Sequence, residues 1–402
     1  MNGTLIVRVY ADSVGQPVKG AKVHLTGNGI DRIFTTNDLG ETQSISLPAP
    51  DISISLDRES NELAYSPYEI SVTNFDLEEK TVTGLEIFPT ITTYQDVYMF
   101  RQKESTNILS NITIPQHYVN SYEPKIPEQD TSDISTLILK EVVIPEYVIV
   151  HDGLLTNTGA PNYWVQFAEY IKNVASSEIY PTWPTETLKA NICAIISFTL
   201  NRFYTEWYPS QGYDFTITSS TAYDHKFIYG RPIFDTISNI VDKIFNQYIV
   251  IEPNRHPFLA QYVDGKIVAE RPNWLSQWGA EYLGRIGYTA LQILKYYYTN
   301  AASLRIATQV EGLPSSYPGY PLSEGGGSCG EDVQQIQKQL NVIRNNYPAI
   351  PLITSPNGNF NSNTTAAVKT FQSVFKLPQT GIVDNATWYK ISYIYAAVSG
   401  LS

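Results

Sequence analysis

Phe167-Ala-Glu-Tyr-Ile171-Lys-Asn-Val174-Ala175-Ser-Ser-Glu178-Ile-Tyr-Pro181-Thr-Trp183-Pro184-Thr-Glu186-Thr-Leu188-Lys-Ala190 reads as two helices joined by a proline-punctuated turn. Phe167, Ile171, Val174, Ala175 and Glu178 follow the i, i+4, i+7, i+8 spacing of one helical stripe, and Pro181 and Pro184 end that helix. The stripe predicts that Glu178 carries a carboxylate on an apolar face, at the negative end of the helix. Partial burial and the helix dipole both disfavour the ionised form, so the spacing predicts a pKa raised towards neutrality. A carboxyl that keeps its proton near neutral pH can serve as a general acid. A helix-end glutamate turned out to solvent is the alternative that the same periodicity allows. Downstream, Pro184 stands at an expected first helical position, Glu186 sits in the first turn, and Leu188, Ile192, Ile195, Ile196 and Phe203 form the buried stripe of a long helix.

Outward from this stretch, the 402 residues exceed one ordinary core and suggest roughly two to four domains. Hydrophobic residues at 43% and charged residues at 16% are globular values, and no apolar run is long enough to span a bilayer. A net charge of -12 argues against nucleic acid, whose binding needs basic residues that displace counterions. The 29 Tyr, 15 Phe and 6 Trp suit a sugar-like polymer held by stacking and hydrogen bonds, although many of these rings must be core. Cys193 falls in a helix and Cys329 in a glycine-rich stretch, so neither a disulfide nor a metal site is expected from them, and no cofactor is implied. Met1-Asn-Gly-Thr-Leu-Ile-Val-Arg8 has neither the basic region nor the apolar stretch of a secretory signal, which predicts a start in the cytoplasm of the producing cell.

Residues 1–100 alternate with period two at Leu5, Val7 and Val9, at Ala21, Val23 and Leu25, and at Tyr68, Ile70 and Val72, which predicts a β-sandwich. Pro17-Val-Lys-Gly-Ala-Lys-Val23 and Thr35-Thr-Asn-Asp-Leu-Gly40 resemble prealbumin-like modules, which are usually non-catalytic. Residues 101–142 are polar and proline-rich, as in Glu123-Pro-Lys-Ile-Pro127, and read as a linker open to proteases. A dense α+β domain is expected over 143–310, a second linker over 311–330, and three short helices over 331–402. Val333, Ile336, Leu340 and Ile343 line one helix face there, and Val368, Phe371 and Phe375 line another.

Ser177-Glu178, Trp183-Pro184 and Glu186-Thr-Leu-Lys-Ala190 resemble the SpoIID/LytB family of peptidoglycan lytic enzymes. Leu275-Ser276-Gln277-Trp278-Gly279-Ala280 is similar to that family's second motif, so the resemblance covers roughly residues 145–300. It implies that Glu178 is the acid and base of a lytic transglycosylase, with one carboxyl protonating the leaving oxygen and then deprotonating the sugar's own C6 hydroxyl. It further implies glycan contacts from Ser177, Trp183, Thr221, His225, Ser276, Gln277 and Trp278, although either tryptophan could instead be core. Ser219-Ser-Thr221-Ala-Tyr-Asp-His225 lies where zinc-binding relatives carry cysteine and histidine, so no metal is expected. His24, His117, His151 and His256 show no ligand spacing, which weakens a zinc amidase. Asp214 and Asp224 are open to two readings, stabilisers of an oxocarbenium-like state or ordinary turn aspartates.

Asn357-Gly-Asn-Phe360, Thr364-Thr-Ala-Ala-Val-Lys-Thr-Phe371-Gln372 and Leu377-Pro-Gln-Thr-Gly381 resemble a three-helix peptidoglycan-binding domain, with Asn361 standing where glycine is usual. The module order resembles the clostridial germination-specific spore cortex-lytic enzymes. That resemblance implies a zymogen made in the mother cell, placed in the cortex or coat region of the spore, and acting on the glycan strands of cortex peptidoglycan. A subtilisin-like germination protease would cut it near Lys140, Glu141, Val142 and Val143. A wall-binding protein with no activity and an N-acetylmuramoyl-L-alanine amidase are the competing readings.

Overall fold

The computed structural model describes residues 1–11, 16–101, 111–119, 141–266 and 271–399. The architecture is mixed α+β with several domains. In the amino-terminal part, strand Asn2–Ala11 pairs in parallel with Thr92–Met99, from Thr4 opposite Thr92 to Ala11 opposite Met99. A second sheet runs Ile30–Thr35, Lys22–Gly27, Ser66–Asn74, Leu77–Ile87, Asn111–Thr113. Leu5, Val7, Val9, Val23, Leu25, Ile70 and Val72 are fully buried between the sheets, as a period of two requires when one face of each strand is covered. A short helix α1 (Ser53–Leu56) leaves this sandwich.

The central part begins at Val143–Ile144, which pairs in parallel with Gln309–Val310. Helix α2 (Phe167–Glu178) runs into α3 (Thr185–Tyr204) across the proline turn. Pro184 is the residue before α3 rather than its first position, and its carbonyl accepts the Leu188 N–H at 3.0 Å. The reading of α2 as amphipathic needs correction: every residue except Glu169 is buried. The helix is covered by α3, by α4 (Asp235–Ile244) and by strands Tyr147–His151 and Ile233–Phe234, whose contributions lie too far off in sequence to leave a periodic mark. Phe203 is only half-buried, whereas Arg202 beside it is wholly buried. Helices α5 (Gln277–Arg285) and α6 (Ala290–Tyr297) complete this part, and Thr289 and Gln292 form a reciprocal capping box at the start of α6.

Three helices close the chain, α7 (Glu331–Ile343), α8 (Ser362–Val374) and α9 (Asn385–Ser399). Val333, Ile336, Leu340, Ile343, Val368, Phe371 and Trp388 are fully buried among them, and Phe375, at the end of α8, is half-buried. Asn361 has a local reason to replace glycine: its side chain accepts the Thr364 N–H at 3.1 Å and caps α8. Asn361→Ala is therefore expected to lower stability by about 1 kcal/mol, read from the urea midpoint of the full chain. Gly381 has φ +74, where a side chain would be strained. This module shares one contiguous apolar core with the central part. Phe245 meets Tyr389 edge-on at 5.1 Å, and Lys390 lies 3.7 Å from Glu169.

Candidate active site

Glu178 closes α2 and is 8% exposed. Its Oε1 accepts the backbone N–H of Lys226 at 2.7 Å. Burial, the Glu178 charge and a hydrogen bond with Glu178 together hold the Tyr262 phenol well above its ordinary pKa. The Tyr170 hydroxyl shares a 3.0 Å hydrogen bond with His225 Nδ1, and the His225 ring stacks on Tyr262 at 5.7 Å. Glu178, Tyr170, Tyr262 and His225 thus form one buried cluster, joined by the backbone N–H of half-buried Lys226. Strand Tyr262–Val263 owes its place to parallel pairing with Leu275–Ser276, so the second sequence motif positions a residue that it does not contain.

Trp183 and Trp278 stand edge to face at 5.0 Å, and Tyr180 lies 5.9 Å from Trp183 and 6.1 Å from Trp278. This aromatic wall begins two residues after Glu178, and amino-terminal residues cover it. Trp183 Nε1 donates to the Ser55 carbonyl on α1 at 2.9 Å, and Trp278 Nε1 donates to the Val119 carbonyl at 3.1 Å. Thr182 Oγ1 donates to Ser55 Oγ at 2.7 Å, while Phe88 and His117 pack on Tyr180 at 5.7 and 5.2 Å. Arg58 donates to the Gly265 carbonyl, and Lys266 Nζ donates back to the Ser60 carbonyl at 2.9 Å. Alongside lies an open groove of about 430 Å³ lined by Arg58, Trp278, Tyr282, Arg285 and Tyr296.

The other sequence-derived positions divide clearly. Ser177 Oγ donates to the Asn173 carbonyl at 2.9 Å, a bond internal to α2. Ser276 Oγ accepts the Gly279 N–H at 3.0 Å and caps α5, so its hydroxyl is committed to the fold. Gln277 is buried at the start of α5, and Thr221 is half-buried in a turn. Asp224 is a structural anion: fully buried, it accepts from Arg202 Nε at 2.8 Å, Tyr208 at 2.6 Å and the Thr218 hydroxyl at 2.8 Å. Asp214 is exposed and accepts from Asn162 at 3.0 Å. Glu141 is exposed, whereas Val142 is buried and Val143 exchanges backbone hydrogen bonds with the Tyr204 hydroxyl. Lys140 and most of the 101–142 stretch lie outside the described residues. Cys193 is buried, with its thiol pushed up to about 12, and Cys329 is exposed; both are free. Among the described residues no group of three or more His, Cys, Asp and Glu could hold a metal ion.

Sequence reasoning missed Tyr262, Lys226 and Tyr180. Tyr170 was within reach, because it shares a helical face with Val174 and Glu178. It also missed a buried polar cluster at the seam. Glu86 on the Leu77–Ile87 strand accepts from Arg231 Nη2 at 2.7 Å and lies 3.2 Å from His117 Nδ1. Burial opposes the Glu86 charge, but Arg231 and His117 outweigh it and hold the carboxyl below its ordinary value. Burial pushes His117 down to about 4 against the pull of Glu86, so its ring is neutral at pH 7 and this contact is a hydrogen bond rather than an ion pair. Once undocked, His117 would take up a proton below about pH 6.5. Between that value and about 4 the undocked form binds more protons, so docking weakens as pH falls. At about pH 5 the loss is about 2 kcal/mol, which lower amide protection factors along Leu77–Ile87 at pH 5 than at neutrality, after correction for the intrinsic exchange rate at each pH, would register.

Residues 329–391 match the family model described as "Putative peptidoglycan binding domain". No curated protein matches the chain. Among solved structures, the Bacillus anthracis TIE protein matches at 14% identity and TM-score 0.19, over 25% of this chain and 16% of that one. Klebsiella pneumoniae 5-hydroxyisourate hydrolase matches at 17% identity and TM-score 0.16, over 24% of this chain and 89% of that one. A chain of a type II cohesin–X-dockerin complex from Acetivibrio cellulolyticus matches at 12% identity and TM-score 0.17, over 25% and 58%. The carboxy-terminal match makes peptidoglycan a partner and associates the chain with the cell wall. Among the described residues no helix is long and apolar enough to cross a membrane.

Proposed function

We propose that this chain is the inactive precursor of a spore cortex-lytic transglycosylase, with a SpoIID-type central domain and a prealbumin-like amino-terminal domain as its inhibitor. The observation that carries the reading is the covered wall beside Glu178: a buried carboxyl, three adjoining aromatic rings, and amino-terminal carbonyls on both indole N–H groups. In the opened enzyme those indoles would face a sugar strand. The Glu178 carboxyl would protonate the oxygen leaving muramic acid C1, and its carboxylate would then take the proton of the C6 hydroxyl as that oxygen attacks C1. The product is a 1,6-anhydro sugar, and no second carboxylate is needed to activate water. The Lys226 N–H would steady the carboxylate after the proton has left.

Activation follows from a cut by a subtilisin-like germination protease near Lys140 to Val143. In support, Glu141 is exposed, and Val142 is the first buried residue of the central part. We place the precursor in the spore, made in the mother cell, with muramic δ-lactam strands of the cortex as substrate. A wall-binding protein without activity is the second reading, favoured by the match over residues 329–391. The two separate when the full chain, intact or cut near Lys140 to Val143, is incubated with cortex peptidoglycan. Release of soluble glycan by the cut chain alone is expected; binding without release by both forms would favour the second reading.

A further inference from the structure

At the seam, Glu86 meets Arg231 in a charged seat, next to which Ile233–Phe234 pairs antiparallel with Thr93–Tyr94 of the sandwich. The Arg231 guanidinium is held from its own side, with Nε donating to the Pro232 carbonyl at 3.1 Å and the Phe234 ring 5.5 Å from its centre. Its Nη2 meets Glu86, and Nη1 has no partner among the described residues; the Arg231 and Glu86 side chains are both fully buried there. Among the described residues His117 Nε2 and Glu86 Oε1 are also without partners, so the seat is not saturated by the described groups that fill it. Lys226 joins the seat to Glu178: its backbone N–H donates to Glu178 Oε1 at 2.7 Å, and burial, with the Arg231 charge, pulls its ammonium below its ordinary value against Glu86 and Glu178. Glu86 and His117 both lie amino-terminal to the 120–140 stretch, whereas Arg231, Lys226 and Phe234 stay with the central domain.

We propose that Arg231 is a subsite for a carboxylate of the muramyl unit, on its lactyl group or its peptide stem, and that Glu86 occupies this subsite in the intact chain as an internal substitute. This rests on the precursor reading of the preceding subsection. A guanidinium fixed in place with a spare N–H offers two parallel donors to a carboxylate, a geometry that an ammonium cannot reproduce. A neutral sugar gives it nothing to bind, and nor does a lactam unit, whose carboxyl is tied up as an amide.

The test uses the full chain cut within residues 120–140, with the amino-terminal fragment removed without denaturant. Calorimetry compares three probes: N-acetylglucosaminyl-N-acetylmuramic acid, the same disaccharide carrying a peptide stem, and chitobiose. If the fragment stays bound, the concentration of each probe that displaces it gives the same comparison. One or both carboxylate probes are expected to bind about tenfold or more tighter than chitobiose, and which of them does so assigns the lactyl or the stem carboxylate. In Arg231→Gln the preference should vanish while chitobiose binding persists, and Arg231→Lys should restore part of it. Equal affinity for all three probes in the unsubstituted chain, or an unchanged preference in Arg231→Gln, overturns the proposal. Glycan release by the unsubstituted cut chain, measured beside its probe binding, separates the two claims. Selective binding without glycan release would sink the enzyme and spare the seat, and release without selectivity would do the reverse.

Discussion

Glu178→Gln is expected to cut glycan release by the protease-activated chain about 10²–10⁴-fold, with the melting temperature little changed. The amide keeps an oxygen that can accept the Lys226 N–H, which the structure places 2.7 Å from Oε1, so the fold around the end of α2 should survive. What is lost is the ionisable carboxyl, whose proton is given in the first step and regained in the second. Binding to insoluble peptidoglycan should persist, because the 329–391 module is remote in sequence and has its own capped helices. Undiminished release from this variant would place the chemistry on another residue.

The second large effect is expected from Glu86→Ala. The substitution leaves the Arg231 guanidinium buried, with no carboxylate to balance it. Removing one member of a buried pair typically costs about 3–5 kcal/mol, and here the intact chain can recover part of that by undocking its amino-terminal part and wetting the arginine. Undocking would free the Trp183 and Trp278 N–H groups, so the uncut variant should gain release activity and be cleaved faster by protease. Adding Arg231→Ala should remove most of the destabilisation, since the two changes act on one interaction. An uncut Glu86→Ala chain as silent and as protease-resistant as the unsubstituted one would mean that the seam does not control access.

Much of the fold was legible because it obeys short-range periods. Leu5, Val7 and Val9 alternate as strand residues with one covered face, and Val333, Ile336, Leu340 and Ile343 repeat as a helix does; all are fully buried. Between α3 and α5, two-residue pairings such as Ile217–Thr218 and Tyr262–Val263 were too short to carry a pattern, whereas α4, with Ile237, Ile240, Val241 and Ile244 at helical spacing, was legible and was missed. The site was legible in part. Glu178 announced itself as a charge in an apolar stripe, yet the depth of its burial depends on partners far along the chain. Glu86 and Arg231 are 145 residues apart, and Trp278 and Val119 are 159 apart. Ser276 illustrates the opposite error, a polar residue in a recognisable motif whose hydroxyl is spent on capping its own helix.

The most direct measurement is the mass of the sugar end that the activated chain creates. Full chain cut near Lys140 to Val143 is incubated with cortex peptidoglycan, and the soluble muropeptides are analysed by mass spectrometry before and after borohydride reduction. Fragments ending in 1,6-anhydromuramic acid, lighter by one water than the hydrolysis product and inert to borohydride, are the predicted result. Reducible muramic acid ends, or free stem peptides with intact glycan, would contradict a single-carboxyl transglycosylase centred on Glu178.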